Sequence, residues 1–214
     1  MKRGIWVIAG IGLLMAGSMA SANSLTVNGA AAINGSYGLE VAVDDTTPTY
    51  VVSTHPAQEP AVAIEFNIDV NTLDLGPTQK IRVLRLMSSD AGGHAGPILT
   101  VFLKKNLNGT GFFLGVWAKS SALEFWNYVG RFWLAQQGGA EAPHNIRIEW
   151  TQADSGVQNG TCTVFKDDVQ MAQKTNIWSA MYDVNAAHFG IFNIEAATRS
   201  GSYYLDDYVM TRLP

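Results

Sequence analysis

The strongest constraint on this chain is a two-residue rhythm of apolar and polar side chains, interrupted by Asn-Gly pairs. Tyr37, Leu39, Val41 and Val43 alternate with Gly38, Glu40 and Ala42, and Val62, Ile64, Phe66 and Ile68 alternate with Ala63, Glu65, Asn67 and Asp69. A period of two puts each apolar set on one face of a β-strand. Further strands are expected at 80–87, 98–105, 130–136, 144–151, 161–166, 169–174, 188–194 and 203–212, about a dozen in all, with no helix. Asn28-Gly29, Asn34-Gly35, Asn108-Gly109 and Asn159-Gly160 mark turns, because both residue types tolerate positive φ. Asn108-Gly109 is the best hairpin, joining Leu99-Val101-Leu103 to Phe112-Leu114-Val116, and Asp167-Asp168 joins a second one. Short loops imply antiparallel neighbours. With no helix to cover a face, that many strands need two sheets packed on each other, so the expected fold is an all-β, two-sheet sandwich.

The first 22 residues stand apart. Lys2 and Arg3 precede an apolar run from Ile5 to Met15, and Ala20-Ser21-Ala22 has the small-x-small pattern of a cleavage site. This reads as a secretory signal peptide followed by one domain over 23–214, hence a secreted or periplasmic protein of bacterial type. Without Lys2 and Arg3 the 14 basic residues become 12 against 18 acidic ones, a formal charge of −6. Such a balance argues against nucleic acid or an anionic membrane as a partner. No second apolar stretch reaches the roughly 20 residues of a membrane span. Cys162, the single cysteine, rules out an internal disulfide and reads as a buried small apolar residue of a strand.

Four stretches resemble the jelly rolls of secreted bacterial concanavalin A-like lectins and glucanases, including laminin G-like domains. They are Asn34 to Val41, His144 to Trp150, Cys162 to Gln170, and Tyr203 to Val209. The resemblance implies a jelly-roll sandwich in which residues 37–43 lie beside residues 203–211. It also brings Glu40 together with Asp206 and Asp207 as candidate ligands of a structural calcium ion, no other cofactor being implied. Neighbouring aspartates in a regular strand face opposite ways, so one of the pair at most is expected at a given site.

Jelly rolls host binding modules and enzymes alike, so function has to come from residues. A retaining glucanase needs two carboxylates about 5 Å apart, and Glu65 with Asp69 is the nearest candidate pair. Their spacing equally fits the solvent side of an amphipathic strand, which is the preferred reading. No Gly-x-Ser-x-Gly elbow is present, and His55, His94, His144 and His188 are scattered. Sugar rings stack on aromatic side chains while amides bind their hydroxyls. Trp126, Tyr128 and Trp133, with Asn127 and Gln136, form the best such group. Trp126 and Tyr128 share a strand face, and of Phe132 and Trp133 one is expected in the core. The sequence therefore points to a non-catalytic module binding a glycan or another extracellular surface. A polysaccharide hydrolase or lyase, and an adhesion protein with no small-molecule site, are the alternatives.

Overall fold

The alternating segments pair as antiparallel strands in a computed structural model that describes residues 22–89, 95–120, 125–135, 142–192, 194–195 and 199–214. Residues 1–21, His94 and Gln136 lie outside the described residues. Sixteen strands and no helix are found among those described.

The first sheet has the order β1 (Ser24–Asn28), β2 (Gly38–Ala42), β16 (Ser202–Arg212), β4 (Ala61–Asp69), β10 (His144–Thr151), β11 (Gly160–Lys166) and β12 (Val169–Ile177). The second has β3 (Thr49–Glu59), β13 (Val184–Ile191), β6 (Lys80–Ser88), β7 (Gly96–Lys105), β8 (Phe112–Lys119) and β9 (Trp126–Ala135), with β14 (Ile194–Glu195) continuing along β6. A small pair, β5 (Asp74–Leu75) and β15 (Arg199–Ser200), stands apart. Leu39 lies opposite Leu205, so residues 39–42 of β2 pair with residues 202–205 of β16, neighbours as the resemblance implied.

The core forms where the inner faces meet. Val62, Ile64, Phe66 and Ile68 of β4 are buried, as are Leu99, Val101 and Leu103 of β7. The Phe66 ring meets the edge of Phe189 from the opposite sheet at 5.7 Å. Each large apolar side chain so buried contributes about 1.5–3 kcal/mol, which holds the two layers together without a disulfide. Cys162 is part of this core, and burial pushes its thiol up to about 12.

One edge of the sandwich is closed. A Cβ on Gly130 of β9 would come within 2.4 Å of the Ala172 Cβ of β12, so glycine lets these edge strands touch across the sheets. Lys166 Nζ donates to the Trp133 carbonyl at 3.0 Å, and the His144 ring lies between Asp167 Oδ2 at 2.8 Å and the Leu134 carbonyl at 2.7 Å. These contacts fix β9, which carries most of the aromatic candidates.

The differences from the sequence reading are local. β9 begins four residues earlier than expected, β13 is displaced toward the N-terminus, and β1 and β3 went unanticipated. At the Asp167-Asp168 hairpin both residues take positive φ, 51° and 62°, so two aspartates adopt the conformation that Asn-Gly usually supplies.

Candidate functional site

Three rows of side chains cross the outer face of the second sheet. Register places His188, Arg85, Thr100, Trp117 and Tyr128 side by side on five consecutive strands. With strands about 4.8 Å apart, this row spans roughly 19 Å. Below it run Arg82, Phe102, Gly115 and Arg131, then Lys80, Lys104, Phe113 and Trp133. Cations thus concentrate on β6 and aromatic rings on β8 and β9, with β7 between them.

Two β-bulges make this arrangement. In β6 the register shifts between Arg82 and Leu84, so Val83 and Leu84 both face the core and Arg85 returns to the side of Lys80 and Arg82. In β9 the shift falls between Tyr128 and Gly130, leaving Val129 buried and putting Trp126, Tyr128, Arg131 and Trp133 on one face. A bulge re-aims every side chain beyond it, a device common near binding sites.

The aromatic side is exposed but ordered by contact. Trp117 and Tyr128 meet edge to face at 5.8 Å, Phe113 and Trp133 pack with centroids 3.7 Å apart, and the Arg131 guanidinium lies 5.0 Å from the Phe113 ring centre. Trp117 and Trp126 are each 37% exposed and Tyr128 45%. The Phe102 ring lies flat over Gly115, whose missing side chain is what makes room for it. Burial raises the Tyr128 hydroxyl above its ordinary pKa, against a smaller opposing effect of Arg131.

The cationic side is half-buried. Arg85 has its Nε buried with no hydrogen-bond partner, and its guanidinium lies 4.7 Å from the Phe192 ring centre. Burial, with the nearby Arg82 charge, lowers its pKa. His188, opposite Arg85, stacks on Tyr50 at 5.0 Å with ring planes 9° apart. Burial first, and the Arg85 charge second, lower its pKa below the usual histidine range.

Three contiguous cavities of about 290, 440 and 390 Å³ follow β7 along this face. The first lies among Arg82, Arg85, Thr100 and Trp126 and shares Lys80, Phe102 and Trp117 with the second. The second shares Lys104, Phe113 and Arg131 with the third. None of the described residues lining them is acidic, although the chain as a whole has a net charge of −4. Net charge had concealed this cluster. The sequence signal that could have found it is basic residues at 80, 82 and 85 on one strand, followed by Lys104 on the next.

The structure groups some of the candidates and separates others. Trp126, Tyr128 and Trp133 share the outer face of β9, and Phe132 is the buried member of its pair with Trp133. Asn127 lies opposite the fully buried Ala118, on the core-facing side of the strand and away from the aromatic platform. Glu65 and Asp69 belong to the other sheet, on its outer face. Glu65 accepts from Asn145 Nδ2 at 2.9 Å, and Asp69 accepts the Asn71 N–H at 2.8 Å. They do not flank the aromatic groove.

The acids suggested for calcium are each engaged by hydrogen-bond donors of the protein. Glu40 accepts from Asn28 Nδ2 at 2.7 Å. Asp206 accepts three backbone N–H groups, from Ile33 and Asn34 at 2.9 Å each and from Asp207 at 2.8 Å. Asp207 accepts from the Asn34 and Asn67 side chains at 2.7 and 2.9 Å. The expectation that the two aspartates face opposite ways is corrected here. A bulge after Asp206, with φ of 51° at Asp207, turns both carboxylates to Asn34. Among the described residues no group of three or more His, Cys, Asp or Glu is placed to hold a metal ion.

No family model matches this sequence, and no curated protein matches it significantly. Solved structures do resemble it. The endo-β-1,4-glucuronan lyase from the fungus Trichoderma reesei is 11% identical, with a TM-score of 0.60 over 90% of this chain and 88% of its own. A marine alginate lyase from Aplysia kurodai is likewise 11% identical, with a TM-score of 0.60 over 89% and 87%. A cellulose-induced protein, also 11% identical, gives 0.57 over 92% and 89%. The fold is a two-sheet, antiparallel jelly-roll β-sandwich. At this identity the likeness is one of fold.

Proposed function

We propose that this protein binds an acidic polysaccharide along the outer face of its second sheet. One observation carries the reading: five cationic side chains, Lys80, Arg82, Arg85, Lys104 and Arg131, share one face of an acidic protein with a row of aromatic rings. A pyranose offers apolar faces to Trp117, Trp126 and Tyr128, while carboxylates along the polymer suit the guanidinium and ammonium groups. Two of the similar structures are named as lyases of glucuronan and alginate, both uronate polymers, which agrees with that choice of ligand. The leader sequence would place the protein outside the cytoplasm, where such polymers occur.

The test is a titration of the mature protein with alginate and with neutral hydroxyethyl cellulose, followed by tryptophan fluorescence at low and high salt. Alginate is expected to bind and to weaken with salt, and Arg82→Ala and Trp117→Ala to weaken it further. Equal binding to the neutral polymer, or no binding to alginate, refutes the reading.

A lyase is the second reading, favoured by Tyr50, His188 and Arg85 at the end of the groove. Removal of the proton next to a uronate carboxyl needs that carboxylate neutralised, a base for the proton and an acid for the departing glycosidic oxygen. Arg85 offers the first role, and His188, kept neutral by burial and by Arg85, offers the second. Tyr50, stacked on His188, offers the third. Ultraviolet absorbance from a new conjugated double bond, lost in His188→Ala, would identify the enzyme. Alginate binding with no such absorbance identifies the binding module.

A further inference from the structure

One acid reaches the cationic side of the groove from outside its lining. Glu195 sits on β14, whose register puts it opposite Lys80, and the buried Ile194 beside it fixes the two-residue strand against Ile81. Its carboxylate is divided between two cations of the groove, Oε2 on Lys80 Nζ at 3.0 Å and Oε1 on Arg82 at 3.1 Å. The three side chains are 30–43% exposed, so the pairs lie at a wet rim where another carboxylate can reach the same nitrogens.

Building on the reading of this groove as a polyanion site, we infer that Glu195 is a built-in competitor that occupies the Lys80–Arg82 subsite until a ligand carboxylate displaces it. The geometry matches what a uronate would do there, one oxygen to each cation. Exposed ion pairs are weak individually, so displacement is easy for a polymer already held at Arg85, Lys104 and Arg131. A monomer or dimer lacks those further contacts and competes poorly. Glu195 thereby sets a threshold of charge and length, and lets the chain discriminate long uronate polymers from small organic acids.

The experiment compares wild type with Glu195→Gln for binding of alginate, of a diuronate and of hydroxyethyl cellulose, with thermal unfolding of both proteins as the control. The amide keeps the shape and removes the charge. Diuronate binding is expected to tighten by about threefold to tenfold at low salt and to converge with wild type at high salt. Alginate is expected to gain less and the neutral polymer nothing, with an unchanged unfolding midpoint. If Glu195 instead orients the two cations for the ligand, Glu195→Gln weakens alginate binding, which overturns the competitor role. Equal affinities in the two proteins overturn it too. Failure of both proteins to bind any uronate overturns the groove assignment itself, a result distinct from the other two.

Discussion

Gly115→Ala isolates the role of the groove floor. A Cβ built on Gly115 falls 2.1 Å from Cζ of Phe102 and 2.6–2.7 Å from both Cε atoms, so the ring has to retreat by more than 1 Å to restore ordinary contact. What moves is the far end of one half-exposed side chain, and Gly115 does not have positive φ. Turning the ring off its rotamer costs about 0.5–1.5 kcal/mol, while the reduced freedom of the unfolded chain returns about 0.4–1 kcal/mol. Urea unfolding should therefore show a stability within about 1 kcal/mol of wild type. Binding should respond differently, because the displaced ring rises into the space shared by the first two cavities. Loss of one aromatic platform, worth about 1 kcal/mol, predicts roughly fivefold weaker alginate binding by fluorescence titration or calorimetry. Unchanged affinity in a normally folded Gly115→Ala protein would refute the placement of the ligand over Phe102. A large loss of stability would refute the claim that this ring rests outside the core.

Trp126→Ala should weaken alginate binding several-fold at one end of the groove, and Trp133→Ala should do so only for oligomers long enough to reach the other end; calorimetry against an oligosaccharide series checks both. Asp206→Ala removes the acceptor of three backbone N–H groups and should cost about 1–3 kcal/mol in urea unfolding. A chelator should leave the wild-type midpoint in place; a midpoint raised by calcium in wild type and not in Asp206→Ala would make that carboxylate a metal ligand instead. Cys162 should resist alkylation at pH 8 until the protein unfolds. Because its folded pKa is raised to about 12 from 9, the unfolded chain loses this proton first. Its contribution to stability is complete below pH 9 and falls as pH rises towards 12, which alkaline unfolding of Cys162→Ala against wild type would reveal.

Regular alternation was readable where the strands are regular. β4 shows this: Val62, Ile64, Phe66 and Ile68 were assigned to the core and are there. The reading failed where the backbone departs from a period of two. Val83 and Leu84 are adjacent apolar residues, and nothing local says that both face inward and carry Arg85 to the side of Arg82. Asp206 and Asp207 deceived in the same way. β3 was invisible because Tyr50, Val51 and Val52 do not alternate and Pro56 interrupts the run, which an edge strand tolerates and a central one does not. The aromatic half of the groove was legible, since Trp126 and Tyr128 are two apart in one segment. Its cationic half was not, because the five basic residues come from three strands that only register brings together.

The bulge in β6 has an evolutionary meaning. Loss of one codon at Val83 or Leu84 would remove the bulge and restore the simple rhythm, with both ends of the strand facing as they do now. Arg82 and Arg85 would then stand two positions apart and still share the groove face, with no side chain replaced. The extra residue and the bulge cancel, so the groove face keeps Lys80, Arg82 and Arg85 whether or not the strand carries both. A search that demands the present spacing of these basic residues would miss a relative without the bulge, whereas comparison by the composition of each sheet face would recognise it.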